Sequence, residues 1–378
     1  MVQATAYVVR DAGSRFERVQ VDLDRLRDHE VLVDLTATGI CHTDIAVQHG
    51  KIPVPLPAIL GHEGAGIVRE VGSAVAEIQP GDHVVLSYNS CQSCRGCQEG
   101  KPYQCGYSQR LNFGGSRADG SSTVVLPDKT PSTCFFGQSS FCNPTIAQEA
   151  SCVKINNKLP LSVVCALGCG FQTGAGSIYN VVKPLERRSR HIVIFGIGPV
   201  GCAAIMAAHQ LSKSTSNSEP PFQIIAVDLN SKRLELANEL GAQVTINPGT
   251  QSVRDSIMEI TQGQGVDAAV DCTGVVSIVE QMVELIASGG IAVTVGGPSP
   301  GLKAAIDVFG MLIKCKTYCG SHQGNADSKK FIPWLADLYT SGHFPLERLQ
   351  TTYRPDKINE ACKDMAEGRV LKPILLWD

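Results

Sequence analysis

One stretch limits the fold of this chain more than any other. His191-Ile-Val-Ile-Phe195 is an apolar run of strand length, and Gly196-Ile-Gly198-Pro199-Val200-Gly201 follows at once and opens a helical pattern. Strand, glycine turn and helix in this order make the first βα unit of a dinucleotide-binding fold. Gly196 allows the tight turn, Gly198 lets backbone approach a pyrophosphate at the helix N-terminus, and Gly201 lets helix and strand pack closely. The next strand, IIAVD, ends at Asp228, somewhat beyond the roughly 20 residues of the usual fingerprint. The Ser/Pro-rich segment 212–221 (SKSTSNSEPP), read as an exposed loop, accounts for the excess. A carboxylate at Asp228 accepts hydrogen bonds from ribose hydroxyls and repels the extra phosphate of NADP, so NAD is the expected cofactor. Arg233 is close enough in sequence to accommodate that phosphate, and an ordinary turn with a helix-capping Asp would look similar.

Around this unit, strands and helices alternate. Strands are predicted at 191–195, 223–228, 243–246, 267–272, 290–296 and 316–321, and helices at 200–210, 232–240, 253–261, 276–287 and 304–313. Six strands with crossover helices imply a doubly wound parallel sheet. Up to about residue 155 the texture differs: short alternating segments such as 5–9, 31–36, 66–71 and 83–88, broken by Gly, Pro and Asp, imply a β-rich, barrel-like domain. The last stretch adds helices at 329–339 and 356–365 and strands at 349–353 and 373–377. It is too short to be a domain, so it should return to the β-rich one, leaving two domains with a cleft between them.

Composition narrows the function. With 43% hydrophobic and 18% charged residues, the chain has the makings of a large core and is not disordered. A net charge of −3 offers nothing to nucleic acid. The longest apolar run, 192–208, is interrupted by Gly196, Gly198, Pro199 and Gly201, so no membrane span is expected. Residues 1–10 lack a basic region followed by a long apolar stretch, and the 15 cysteines are odd in number. A cytoplasmic protein is expected, its cysteines metal ligands or core filler.

Cys91, Cys94, Cys97 and Cys105 follow the spacing C-x2-C-x2-C-x7-C. Four thiolates with no open position make a closed tetrahedral zinc site, which would fold a lobe at about 88–108; a disulfide pair is the alternative. A second set is dispersed over Gly39-Ile-Cys41-His-Thr-Asp44, Gly61-His62-Glu63 and Leu167-Gly-Cys169-Gly-Phe-Gln-Thr173. Two thiolates and an imidazole leave a fourth position open, as a catalytic zinc requires. Spacing alone does not select them, since Cys165, Cys272, His42 and His49 compete.

GICHTD at 39–44, GHEGAG at 61–66, the four-cysteine lobe, GCGFQTGAG at 168–176 and GIGPVG at 196–201 together resemble the zinc-containing alcohol dehydrogenases of the medium-chain dehydrogenase/reductase superfamily. The resemblance runs from about residue 5 to the C-terminus. NFGGSRADGSS at 112–122 and FIPWLADLYTSGHFP at 331–345 are similar to the aryl (benzyl) alcohol dehydrogenase branch. It implies a GroES-like β-rich catalytic domain at 1–170 and 315–378 and a Rossmann domain, with its six-stranded doubly wound parallel sheet, at 171–314. It implies Cys41, His62 and Cys169 as ligands of the catalytic zinc, one of two zinc ions per chain. Glu63 would be a carboxylate able to approach the metal, Asp44 the acceptor that orients His62, and Thr43 the group taking the alcohol proton. Thr173 would contact the nicotinamide, and His42 and Lys372 would face the pyrophosphate beside Gly196, Gly198, Pro199, Val200, Gly201, Asp228 and Arg233. Ile52, Tyr88, Leu111 and Phe135 would line an apolar substrate pocket. Many members carry a histidine five residues after the first ligand cysteine to pass the proton outward; here that residue is Ala46, and His49 comes three later.

These expectations amount to NAD-dependent interconversion of a small-molecule alcohol, primary and aryl, benzylic or otherwise unsaturated, with its aldehyde. Other readings are a reductase of the same family acting on an activated double bond or an iminium, a dehydrogenase of a specialised biosynthetic alcohol, a glutathione-linked dehydrogenase, and an NAD-binding subunit without redox chemistry. A homodimer or homotetramer is implied, with contact expected through strands 291–296 and 316–321.

Overall fold

The computed structural model describes residues 2–117, 119–128, 130, 132–214 and 221–377. It divides into two compact units, Met1–Cys169 with Asp327–Asp378, and Gly170–Ala326.

The first unit is built from two largely antiparallel sheets. The strand Glu30–Gly39 belongs to the seven-stranded sheet and is buried nearly throughout. Val31, Val33 and Leu35 pack on one side with Val68, Val84 and Leu86. Leu32 packs on the other with Val8, Ile59, Phe141 and Leu375. Each such side chain fully buried contributes about 1.5–3 kcal/mol. The C-terminal strand Lys372–Leu376 pairs antiparallel with this strand, Ile374 opposite Gly39, and so joins the sheet of the first unit. The amide of Ile40 donates to the carbonyl of Pro373 at 3.0 Å, which seats Lys372 beside the turn that precedes Cys41.

The second unit holds a parallel six-stranded sheet. Its order is Val244–Ile246, Gln223–Val227, His191–Phe195, Val266–Asp271, Ile286–Thr294, Thr317–Gly320. The first strand in sequence sits in the middle and the chain winds outward both ways, which places a switch point at the end of His191–Phe195. The strand interiors are continuous apolar runs because helices cover both faces.

Four sequence expectations shift. The return to the first unit falls after Ala326, not at 314/315, because Thr317–Gly320 is the sixth parallel strand. The helix expected over 304–313 is confined to Val308–Ile313. Ile291–Gly296 cannot offer an oligomer edge, since Ile286–Thr294 is paired on both sides and Thr317–Gly320 alone of the two is an edge strand. The segment 212–221 lies partly outside the described residues, at 215–220; before it, the helix Pro199–Lys213 continues past the predicted end at 210.

Candidate metal centres and dinucleotide site

Three backbone bends bring the dispersed ligand set together. Cys41 lies two residues beyond the strand Glu30–Gly39, at the N-cap of the helix His42–Gln48. His62 and Glu63 sit in the bend before Gly64–Val71, where Gly61 takes φ +86° and a Cβ would lie 2.5 Å from the Phe141 ring. Cys169 follows the short turn Cys165–Gly168. One ligand atom each from Cys41, His62, Glu63 and Cys169 lies within 4.8 Å of all the others.

His62 carries the strongest local argument for a metal. Its Nδ1 lies 3.0 Å from Asp44 Oδ1, with both side chains almost wholly buried. Asp44 also accepts from the amides of Gly61 (3.0 Å) and Cys41 (2.9 Å). Nδ1 therefore carries the proton, and the lone pair of Nε2 points into the cluster. Nε2 is buried and has no hydrogen-bond partner among the described residues. A buried polar atom left so is unfavourable by about 1–3 kcal/mol, and a metal ion removes that penalty. Burial and hydrogen bonding push the two thiols apart. The Cys169 contact holds Cys41 well below the usual thiol range, while Cys169 is driven well above it. A cation between them lets both ionise. The donor set fits zinc. The competing residues do not join it. His42 and His49 are exposed, and the Cys165 thiol turns to the Ser162 carbonyl, burial raising it to about 12.

Lys372 is buried at 1% exposure. Its Nζ lies 2.6 Å from Glu63 Oε1, 2.5 Å from Oε2 and 3.1 Å from the carbonyl of Ile40. Its charge is paired with Glu63, one of the four residues of the cluster. Thr43 Oγ1 lies 3.7 Å from Cys41 Sγ. Ala46 is half-buried in the same helix, and His49 stands exposed at its end.

The second cluster is closed. The sulfurs of Cys91, Cys94, Cys97 and Cys105 lie within 4.8 Å of one another. Cys91 and Cys97 are 3.9 Å apart, Cys94 and Cys97 3.6 Å. Tetrahedral thiolates about 2.3 Å from a zinc ion stand about 3.8 Å apart, so the spacing suits the metal and not a disulfide. Against burial, the amides of Ser93 and Cys94 bring Cys91 down to about 6, while burial and neighbouring sulfurs push Cys97 up to about 12. Four thiolates coexist here only around a cation.

In the second unit each glycine of the turn has its own reason. Gly196 takes φ +85°, a Cβ on Gly201 would lie 2.0 Å from the Gly196 carbonyl, and a Cβ on Gly198 would meet nothing within 4 Å. That open space, at the N-terminus of Pro199–Lys213, suits a phosphate. Asp228 Oδ2 accepts from the Ile197 amide at 2.7 Å and lies 3.9 Å from Arg233. Asn230, not Asp228, caps the following helix. Thr173 lies on the helix Gly170–Gly176, its hydroxyl 3.4 Å from Gln323 Oε1.

The chain matches the model of the alcohol dehydrogenase GroES-like domain over residues 27–157 and that of the zinc-binding dehydrogenases over 199–337. It is 35% identical to a geraniol dehydrogenase from Castellaniella defragrans, across 100% of this chain and 98% of that one. It superposes with TM-score 0.92 on benzyl alcohol dehydrogenase from Acinetobacter calcoaceticus, at 39% identity and 100% coverage of both chains. An alcohol dehydrogenase zinc-binding domain protein from Burkholderia ambifaria gives TM-score 0.93 and 40% identity, covering 100% of this chain and 99% of that one. The chain belongs to the zinc-containing alcohol dehydrogenases of the medium-chain dehydrogenase/reductase superfamily. It is an oxidoreductase with a GroES-like unit, a Rossmann unit and two zinc sites.

The residues expected to line the alcohol dehydrogenase's pocket are scattered in role. Ile52 is half-buried, while Tyr88 and Phe135 lie in the core at 4% and 0% exposure. Phe135 meets His62 edge-on, centroids 5.6 Å apart. Leu111 lines a cavity of about 300 Å³ together with Arg27, Glu30, Asn89 and Arg117. Sequence reasoning missed Phe136, whose ring stacks on His62 at 4.5 Å, and Gln138 and Ser87, which hold the ligand loops. None of the three belongs to a recognisable motif, and positive φ at non-glycine Phe136 and Ser139 leaves no sequence signal.

Proposed function

We propose that this enzyme uses NAD to interconvert a primary alcohol, aryl, benzylic or otherwise unsaturated, with its aldehyde. The observation that carries the reading is the cluster of Cys41, His62 and Cys169, whose ligand atoms converge while His62 Nε2 has no other partner. These three hold the catalytic zinc and leave one position for substrate; Cys91, Cys94, Cys97 and Cys105 hold the structural zinc. A zinc ion held there supplies the Lewis acidity that makes an alcohol hydroxyl acidic near neutral pH, and NAD supplies the hydride acceptor. Asp44 fixes the tautomer and orientation of His62. Thr43 would take the alcohol proton, and Ala46 stands where many family members carry a histidine that passes it outward. Glu63, held by Lys372, is the carboxylate that approaches the metal during ligand exchange. Gly196, Gly198, Pro199, Val200 and Gly201 receive the pyrophosphate, Asp228 the adenosine ribose, and Thr173 the nicotinamide.

The unsaturated substrate class is supported by the aromatic surroundings of His62 and by the names of the geraniol and benzyl alcohol relatives. NAD over NADP is supported by the Asp228 carboxylate at the ribose end of the turn. A cytoplasmic setting is supported by thiolate clusters that need a reducing compartment. Self-association is supported by the edge strand Thr317–Gly320 beside an exposed apolar helix, Val308–Ile313.

The test is NADH formation with benzyl, cinnamyl, furfuryl, secondary benzylic and short aliphatic alcohols, with NAD or NADP, with and without a zinc chelator. Chelator-sensitive turnover with NAD that favours unsaturated primary alcohols is expected. Aliphatic preference overturns the substrate class. No alcohol turnover in zinc-loaded protein that binds NADH moves the reading to double-bond or iminium reduction.

A further inference from the structure

One buried segment, Gln138-Ser-Ser-Phe141, holds the backbone around His62 from end to end. Ser139 Oγ donates to the carbonyl of Ile59 at 2.7 Å. The amides of Phe141 and Ser140 donate to the carbonyls of Leu60 and Gly61, each at 3.0 Å. Gln138 Nε2 donates to the carbonyl of His62 at 3.1 Å, and Gln138 Oε1 accepts from the amide of Gly64 at 3.2 Å. The same Nε2 donates to the carbonyl of Ser87 at 2.9 Å. Ser87 Oγ then donates to the carbonyl of Gly168 at 2.7 Å, one residue before Cys169, and lies 3.0 Å from Ser328 Oγ. Gln138 and Ser87 are both 0% exposed.

Asp44 already joins Cys41 to His62. Gln138 and Ser87 join His62 to the chain beside Cys169, so a hydrogen-bonded belt passes behind all three ligands. The segment leading to Gln138 is unusual: Phe136, Gly137 and Ser139 all have positive φ, at 50°, 63° and 46°. Such strain persists where the surroundings over-determine it, and here it delivers both the Phe136 ring to the face of His62 and the Gln138 amide to its backbone.

We propose that Gln138, acting through Ser87, is a positioning residue of the catalytic metal centre. It fixes the distance between the His62 and Cys169 loops before metal or substrate arrives. This rests on the reading of Cys41, His62 and Cys169 as zinc ligands, not on the identity of the alcohol. Methionine matches glutamine in length and carries no amide, so Gln138→Met removes the three side-chain bonds at nearly constant volume.

The experiment follows zinc release from the purified two-zinc protein into a chromogenic chelator. The Cys91/Cys94/Cys97/Cys105 site is the internal control, and the catalytic phase is the one absent from Cys41→Ser. In Gln138→Met the catalytic phase is expected to accelerate at least about tenfold, within the range seen when groups behind a metal ligand are removed, while the structural phase stays within twofold. Release within twofold of wild type in both phases overturns the proposal. So does equal acceleration of both phases with a lowered Tm, which marks general loosening. Should Gln138→Met fail to fold, Ser87→Ala cuts the Gly168 arm and the contact with Ser328 while keeping the Gln138 bonds; it is expected to quicken the catalytic phase alone, and unchanged release overturns the proposal. Wild-type protein that holds two zinc ions and oxidises no alcohol contradicts the proposed function and leaves this test intact.

Discussion

Lys372 and Glu63 show how a residue's role is set by what it touches. Resemblance gives Lys372 only a place facing a pyrophosphate, whereas the structure shows it fully buried on a carboxylate. Removing one member of a buried pair leaves the other charged and unpaired, which costs about 3–5 kcal/mol. Lys372→Met should therefore lower stability in urea by about 3 kcal/mol and leave the KM for NAD within about twofold. A raised KM with unchanged stability would contradict this and support a pyrophosphate role for Lys372. At this scale the sequence was legible where chemistry is local. The four clustered cysteines announce their site by spacing. Cys41, His62 and Cys169 come together only through the fold, and resemblance, not spacing, singled them out. Gln138 and Ser87 act through backbone carbonyls, which no side-chain pattern reports.

Among the elements, the strongly patterned ones were legible. The strand His191–Phe195 and the glycine turn have the predicted limits, since an apolar run closed by glycines leaves little choice. The helix Gly170–Gly176 was not foreseen, because three glycines in seven residues argue against a helix. Packing explains them. A Cβ on Gly174 would lie 2.0 Å from the Val200 carbonyl, and one on Gly176 2.4 Å from the Gly324 carbonyl. Close approach of backbones outweighs the weak helix propensity. Gly174→Val should push the helix Pro199–Lys213 away and disturb the turn that starts it. We expect a clear fall in Tm together with weakened NADH binding by fluorescence titration. Retention of both would show that the contact is dispensable.

Across the whole molecule, the two-unit organisation and the return of the C-terminal strand were legible from the change in texture and from the shortness of the tail. The second boundary was not, because a strand at 316–321 belongs equally well to either unit until its pairing is known. The exposed apolar helix is the feature of this scale that a lone chain would not keep. Val308, Phe309, Leu312 and Ile313 are 78%, 69%, 72% and 60% exposed. Clustered apolar side chains of this kind mark an interaction surface. Light scattering should give a dimer or tetramer for the wild type and a smaller species for Phe309→Asp/Leu312→Asp. A monomeric wild type would contradict self-association.

The central claim is that two separate zinc sites exist and that the one built by Cys41, His62 and Cys169 carries the chemistry. Zinc content per chain, measured on wild type and on folded Cys41→Ser, tests it most directly. The account predicts two zinc ions in the wild type, one in the variant, and alcohol oxidation abolished with the lost ion. Two zinc ions retained in Cys41→Ser, or turnover unchanged by the substitution, would contradict it.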